Sequence, residues 1–302
     1  MLTSNFGSIN YIVTDAEINS CRKACNKHYP AEKPLVLPTP PRDGNLGKAA
    51  ENPAFSCSDI KKWGNENSKS GEYWIEVSTK GKQKVFCDME TDGGGWTLFY
   101  NYKHLPGQES TLDSSKLPKN LDENSHTYLS NAGFSPKDVR ELRFFCIEKF
   151  KSSKVYWHFK TANKEFLNVA LTGNQEGFKF TSLSKSYKEL PPPAKLNGVY
   201  KKRIFESMIN DIDYYNISPE GGFTYTPFGS QKYKAFWTIR GPSMTNPRYE
   251  CATSHEWVGG YAKQEDSPSM AETHHTVWFR GDPPSEEKVQ RRLVSRLRNE
   301  PS

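Results

Sequence analysis

The run HEWVGGY, His255 to Tyr261, places an imidazole, a carboxylate and two aromatic rings close together in the sequence. An imidazole, a carboxylate and aromatic faces are what a sugar site uses, so His255, Glu256, Trp257 and Tyr261 are candidate ligand-binding residues. Farther along, Glu265, Asp266 and Glu272 could complete a calcium site, because Ca²⁺ takes six to eight oxygen ligands. The plainer reading stays open: a loop glutamate, buried aromatics and solvated charges. His274 and His275 are adjacent in a strand-like run and point to opposite faces. They do not readily chelate one metal, and we expect one in the core and one at the surface. His158 sits in an aromatic strand, where core packing is its expected role.

A second candidate is CDMETDGGGWTLFYNY, Cys87 to Tyr102, with three glycines, Gly93 to Gly95, ahead of Trp96. A phosphate-binding loop needs a Lys and a Ser or Thr after its glycines, opening a helix. Here Trp96, Thr97 and Leu98 follow, and these are strand formers. The glycines therefore read as a tight turn or bulge that delivers Trp96 into the core. No GxSxG elbow, HExxH pair or paired-carboxylate signature can be placed, so an enzyme is not expected.

The composition agrees with a binding or structural module. The protein has 302 residues, 35% hydrophobic and 13% aromatic, with 20 prolines and 21 glycines, which favours short strands and many turns over a helical bundle. The net charge of +6 is a mild excess and calls for no nucleic-acid partner. No window reaches the ~18 apolar residues of a membrane span. The first residues, MLTSNFGSINYIVTDAEINS, lack the basic and apolar regions of a signal peptide, so the protein is either cytosolic or a processed or trimmed form whose leader was removed or lies upstream. Six cysteines, Cys21, Cys25, Cys57, Cys87, Cys146 and Cys251, allow three disulfides and contain no CxxC pair. Cys146 and Cys251 could pair at long range, and Cys21 and Cys25 could bond outward.

These residues need elements to position them. Residues 1–29 form a short segment with a helix around TDAEINSCRKACNKH, and residues 30–54 read as a proline-rich linker. The main domain is expected over 55–282. SDIKKWG is a short helix ended by Gly64. YWIEVS, KVFCDM and WTLFYNY are strands. SPKDVREL is a further helix, and 143–150 with 154–161 form a hairpin. More strands are expected near 165–171, 177–182, 222–227 and 234–239, with a closing strand over 273–280. Residues 283–302 form a basic amphipathic helix, capped by Ser285, with Val289, Leu293 and Leu297 in one stripe. Asn216-Ile217-Ser218 is a glycosylation sequon, followed by Pro219.

The string from Cys57 through SDIKKWG, SGEYWIEV and KVFCDMETDGGGWTL resembles the opening subdomain of fibrinogen-like domains, over about residues 55–100. The resemblance implies an extracellular α+β domain with a mixed, mostly antiparallel sheet, short helices, long loops and stabilising disulfides. It implies a Cys57–Cys87 disulfide, closing a loop of about thirty residues and contributing roughly 3 kcal/mol. The C-terminal part, 103–282, departs from the family. DID at 211–213 is followed by YYNISP in place of the family's calcium loop. YKAFWTIRG, RYECATSHEWVGG and ETHHTVWFR resemble divergent invertebrate extracellular-matrix members, with partial likeness to intelectins. Cys251, Thr253, His255, Gly259 and Gly260 fit the intelectin outline, but Ala252 and Ser254 stand where that family has oxygen-rich ligands. The resemblance therefore implies a non-catalytic extracellular module that assembles with itself or other proteins. The alternative is a glycan-binding lectin, calcium-assisted, using the 251–266 loop.

Overall fold

The computed structural model describes residues 39–77, 80–105, 117–123, 125–126, 134, 136–150, 152–165, 167–168, 186–202, 224–225, 239–240 and 272–299. A compact unit runs from Arg42 to Pro283. Its first helix, α1 (Cys57–Trp63), starts at Ser56, whose side chain accepts from Asp59 N. The helix ends at Gly64, where a Cβ would lie 2.5 Å from the Ile60 carbonyl oxygen. Only glycine fits that turn.

The strands follow in order as β1 (Gly71–Val77), β2 (Gly81–Asp88), β3 (Trp96–His104), β4 (Ser125–His126), β5 (Glu141–Phe150), β6 (Ser153–Thr161), β7 (Tyr187–Glu189), β8 (Lys201–Lys202), β9 (Thr224–Tyr225), β10 (Ile239–Arg240) and β11 (Glu272–Arg280). The main sheet runs β1-β2-β3-β11-β5-β6-β7, with β4 beside β3 and β8 beside β6. All its pairs are antiparallel except β6–β8. The last strand in sequence is thus a central one. It pairs with β3 on one side and β5 on the other. Being central, β3 and β11 are buried on both faces over much of their length, which their near-continuous aromatic and β-branched runs permit. The register against β3 shifts between Val277 and Trp278, so Phe99 bulges and packs on Phe279 at 6.2 Å. Trp96, Leu98 and Trp278 form one core cluster with Phe86 and Leu121 against it.

Several expectations change. Residues 42–54 are not a linker but fold onto β1. Trp74 N donates to the Gly47 carbonyl, Ala54 N to the Trp74 carbonyl and Glu76 N to the Ala54 carbonyl, and Leu46 and Ala54 are buried. These contacts cover an edge strand that would otherwise present unpaired backbone groups. The expected 135–142 helix is a single 3₁₀ turn over Pro136–Asp138, because Glu141 already begins β5. The expected strand near 165 begins instead with helical residues, Leu167 N donating to the Asn163 carbonyl. The 143–161 hairpin forms as expected. The closing helix, α2 (Glu286–Asn299), falls outside the compact unit. Ser285 caps it, Val289 is buried and Leu293 is half-buried. The expected N-terminal helix, with Cys21 and Cys25, lies outside the described residues, as do Leu297's side chain and the strand expected near 177–182.

Cys57 and Cys87 are disulfide-bonded and tie α1 to β2 across 30 residues. Replacing both by serine should cost about 3 kcal/mol in urea unfolding. An unchanged midpoint would mean that the crosslink does not stabilise this unit.

Candidate functional site

The triglycine loop organises the site. Thr91–Gly93 form a 3₁₀ turn, and Asp92 adopts a left-handed φ of 47°. Asp tolerates that region better than most residues. Gly94 follows at φ 75°, ψ −168°, a combination that is essentially confined to glycine. A Cβ on Gly94 would sit 2.2 Å from the Met89 carbonyl oxygen. The loop thereby folds tightly on itself and on α1, where Ser58 Oγ donates to the Gly95 carbonyl at 3.1 Å.

This folding aims the loop's oxygens at Arg280, the last residue of β11. Arg280 Nη1 donates to the Asp92 carbonyl at 2.7 Å and the Gly94 carbonyl at 3.0 Å. Its Nη2 meets the Asp92 carboxylate at 3.0 Å, and its Nε donates to Glu141 at 2.8 Å. Lys160 on β6 bridges the same two carboxylates, at 2.7 Å to Asp92 and 2.8 Å to Glu141. One layer deeper, Arg143 on β5 pairs with Asp88 at 2.7 Å. Arg143 and Arg280 lie over the Trp96 ring at 5.0 and 4.0 Å, and Arg143 also lies over Trp278 at 4.5 Å. Trp96 Nε1 donates to the Thr91 carbonyl at 2.9 Å. Three cations, three carboxylates and two indoles thus join β2, the loop, β5, β6 and β11.

The cluster's titration follows from this packing. Burial alone would push Asp88 up. The Arg143 guanidinium and hydrogen bonds from Thr91 and Glu90 outweigh it and hold Asp88 at about 2. Burial draws Arg143 down to about 10, opposed by Asp88, so it stays charged at neutral pH. Charges fixed and neutralised in this way are suited to holding strands together, not to exchanging protons.

Beside the cluster, α1, the triglycine loop and the adjoining ends of β5 and β11 enclose an open cleft of about 280 Å³. Of its charged lining residues, Lys62, Arg140 and Asp282 are exposed, Lys61 is half-buried, and Arg280 and Glu141 are half-buried beside the cluster. Gly281 lets the two strand ends meet, since a Cβ there would lie 2.0 Å from the Asp138 carbonyl oxygen.

Comparison with known proteins bears on the same segment. Residues 54–111 match the family model of fibrinogen beta and gamma chains, C-terminal globular domain. Residues 54–111 are a fibrinogen-related segment. Angiopoietin-4 of Mus musculus is 54% identical over 48 residues, covering 15% of this sequence and 9% of that protein. Echinolectin 1 of Echinometra lucunter is 37% identical over 91 residues, covering 26% of this sequence and 38% of that protein. The match thus spans well under half the length of these two relatives. The fibrinogen-like globe domain of human ANGPTL6 aligns at 15% identity with a TM-score of 0.34, covering 77% of this sequence and 96% of that structure.

The predicted ligand residues fall mostly outside the described residues. His255, Glu256, Trp257, Tyr261, Glu265 and Asp266 all lie there, as do Cys251 and Asn216. Glu272 opens β11 and pairs with Lys149 at 3.2 Å. Cys146 is disulfide-bonded, to a partner outside the described residues. Its Sγ lies 3.8 Å from the buried His275 ring. One of the two strand histidines is expected at the surface, yet His275 is buried and His274 is partly buried. Asn101 Nδ2 donates to the Glu123 carbonyl, so its Oδ1 is free to accept from His274 Nε2–H at 2.7 Å. His158 is core, as expected, donating from Nδ1 to the Pro191 carbonyl at 2.7 Å.

Burial holds both His158 and His274 at about 4, the second also by Lys103 and Lys195. Each is neutral in the folded domain and gains its proton more readily in the unfolded state, near pH 6.5. Stability should therefore fall as pH drops from about 6.5 to about 4, by on the order of 2–3 kcal/mol for His158. His158→Gln should flatten that slope in urea midpoints taken across the window. An unaltered slope would assign the loss to other groups.

Sequence reasoning missed both the charge cluster and the cleft. A signal was present: Arg143 and Arg280 stand inside the apolar runs LRFF and VWFR. A cation in a central strand requires a buried partner.

Proposed function

We propose that the protein is a non-catalytic extracellular module that works by binding, and that its principal role is assembly with itself or with other proteins in a matrix or filament. The observation that carries this reading is the charge cluster around Trp96. Its six ionisable groups neutralise one another, which fits a rigid interaction scaffold. In this reading residues 1–41 and α2 contact neighbouring molecules. Deletion of 1–41 or of 284–302 should reduce the assembly size measured by light scattering. Unchanged size in both deletions would sink the assembly role.

The name of echinolectin 1 favours a second reading, glycan binding through the 251–266 loop with calcium as a candidate cofactor. His255, Glu256, Trp257 and Tyr261 would contact sugar, while Glu265, Asp266 and Glu272 would supply oxygens to the ion. A lectin should bind on a glycan array and lose binding on chelation or on His255→Ala. Binding that survives both treatments would remove calcium and this loop from the account. A Cys146–Cys251 disulfide would anchor the loop to β5, and peptide mapping without reduction tests it.

A further inference from the structure

We infer that the cleft between α1, the triglycine loop and the ends of β5 and β11 binds a tetrahedral oxyanion, a sulfate or phosphate group. None of its lining residues belongs to the 251–266 segment, and the proposal does not depend on either reading above.

The charge balance comes first. Four cations and two carboxylates line the cleft. Arg280 is committed to Asp92, Glu141 and two carbonyls. Arg140 Nε pairs with Asp282 at 2.6 Å. Lys61 and Lys62 are different. Lys61 Nζ donates to the Met89 carbonyl at 2.8 Å, and Lys62 Nζ lies over the Trp63 ring at 4.6 Å. A carbonyl and an indole satisfy geometry without cancelling a unit charge. Among the described residues, two positive charges on consecutive positions therefore stand uncompensated at the mouth of a concave site.

The type of cation points to the type of anion. A planar carboxylate is best matched by an arginine fork, and here the fork nearest the mouth already holds Asp282. Two ammoniums act as point charges with several donors each, of which Lys61 uses one. A compact doubly charged tetrahedral group matches them in charge and in donor number. About 280 Å³ accommodates such a group with water, at about 30 Å³ per water, or with the first ring of an esterified sugar.

Titration calorimetry of the full-length protein with sodium sulfate, at ionic strength held constant with chloride, tests the site. Saturable binding is expected, with at least tenfold weakening in K61Q/K62Q and no change in K188Q, which alters an exposed lysine on β7. Because Lys61 also supports Met89, K62Q alone provides a second variant and should weaken binding several-fold. No saturable heat, equal binding of acetate, or full binding in K62Q and in a folded K61Q/K62Q would overturn the proposal. A sulfated disaccharide and its unsulfated parent separate the sources. Tighter binding of the sulfated sugar than of free sulfate identifies an ester on a glycan, and the reverse order identifies the free ion.

Discussion

Replacing Arg143 by methionine is expected to destabilise the Arg42–Pro283 unit by about 3–5 kcal/mol, the usual cost of leaving one member of a buried ion pair without its partner. Arg143 retains 3% and Asp88 12% of side-chain exposure, so water cannot take over the lost interaction. Nor is the pair reinforced by many aligned donors. Arg143 Nη1 is close to Asp88 but poorly aligned for a hydrogen bond, and Nε meets no acceptor among the described residues. The remaining compensation is the pair of indole faces. Methionine fills similar space and leaves the Asp88 carboxylate with its Glu90 and Thr91 backbone donors but without its paired cation. The sign of the pH dependence separates this cause from a packing defect. In the parent, Asp88 is held at about 2, so its contribution is present above about pH 4 and is lost as pH falls toward 2. In R143M the carboxyl can protonate much earlier and relieve its own penalty. The difference between variant and parent should therefore shrink by on the order of 2 kcal/mol between pH 5 and pH 2. R143M/D88N should recover much of the loss at pH 7. A pH-independent difference, or no recovery in the double variant, would show that packing dominates.

The second large effect is expected at Gly94. Gly94→Ala forces a side chain into a glycine-only backbone region and drives a Cβ to 2.2 Å from the Met89 carbonyl oxygen. Neither backbone can yield without moving α1 or the Arg280 clamp. Strain alone costs about 1–3 kcal/mol, and the clash adds to it. The neighbouring Gly93 provides the comparison. Its φ is 86°, but the nearest atom to an added Cβ is the flexible Arg280 Nη1 at 3.8 Å. Gly93→Ala should therefore cost only the strain, about 1–2 kcal/mol. Thermal unfolding of both variants decides the point. Equal losses would mean that the loop tolerates close approach at Gly94, and that its glycines serve backbone conformation alone.

The opening third of the domain was legible because its signals are local. Ser56 and Gly64 bound α1, aromatic and β-branched runs mark β1 and β2, and glycines followed by Trp96 mark a turn before a strand. The Cys57–Cys87 disulfide came from the resemblance and is present. What could not be read was distant pairing. Nothing near His274 in sequence announces Asn101, which lies 173 residues earlier. Nothing near Gly94 announces Arg280, 186 residues later. Residues 42–54 read as part of a linker because the whole stretch 30–54 holds six prolines, while the backbone bonds that hold 42–54 to β1 leave little mark on side-chain pattern. The same limit applies to the candidate ligands. Charge type identifies Lys61 and Lys62 as basic, but only the fold reveals which cations have carboxylates beside them.

The place of β11 has a consequence for how the protein reaches its folded state. During synthesis β1, β2, β3 and the β5–β6 hairpin emerge long before Glu272–Arg280, yet β11 is the strand that joins them. Until then two aromatic-rich strands each carry an open edge, a state prone to wrong pairing. Closure must bring together segments separated by well over a hundred residues, which slows folding. A polypeptide ending before residue 272 would retain the first disulfide and still lack a continuous sheet. Chaperone demand and yield should therefore depend steeply on the last strand, even though, of the ligand residues expected from the sequence, Glu272 alone lies on it.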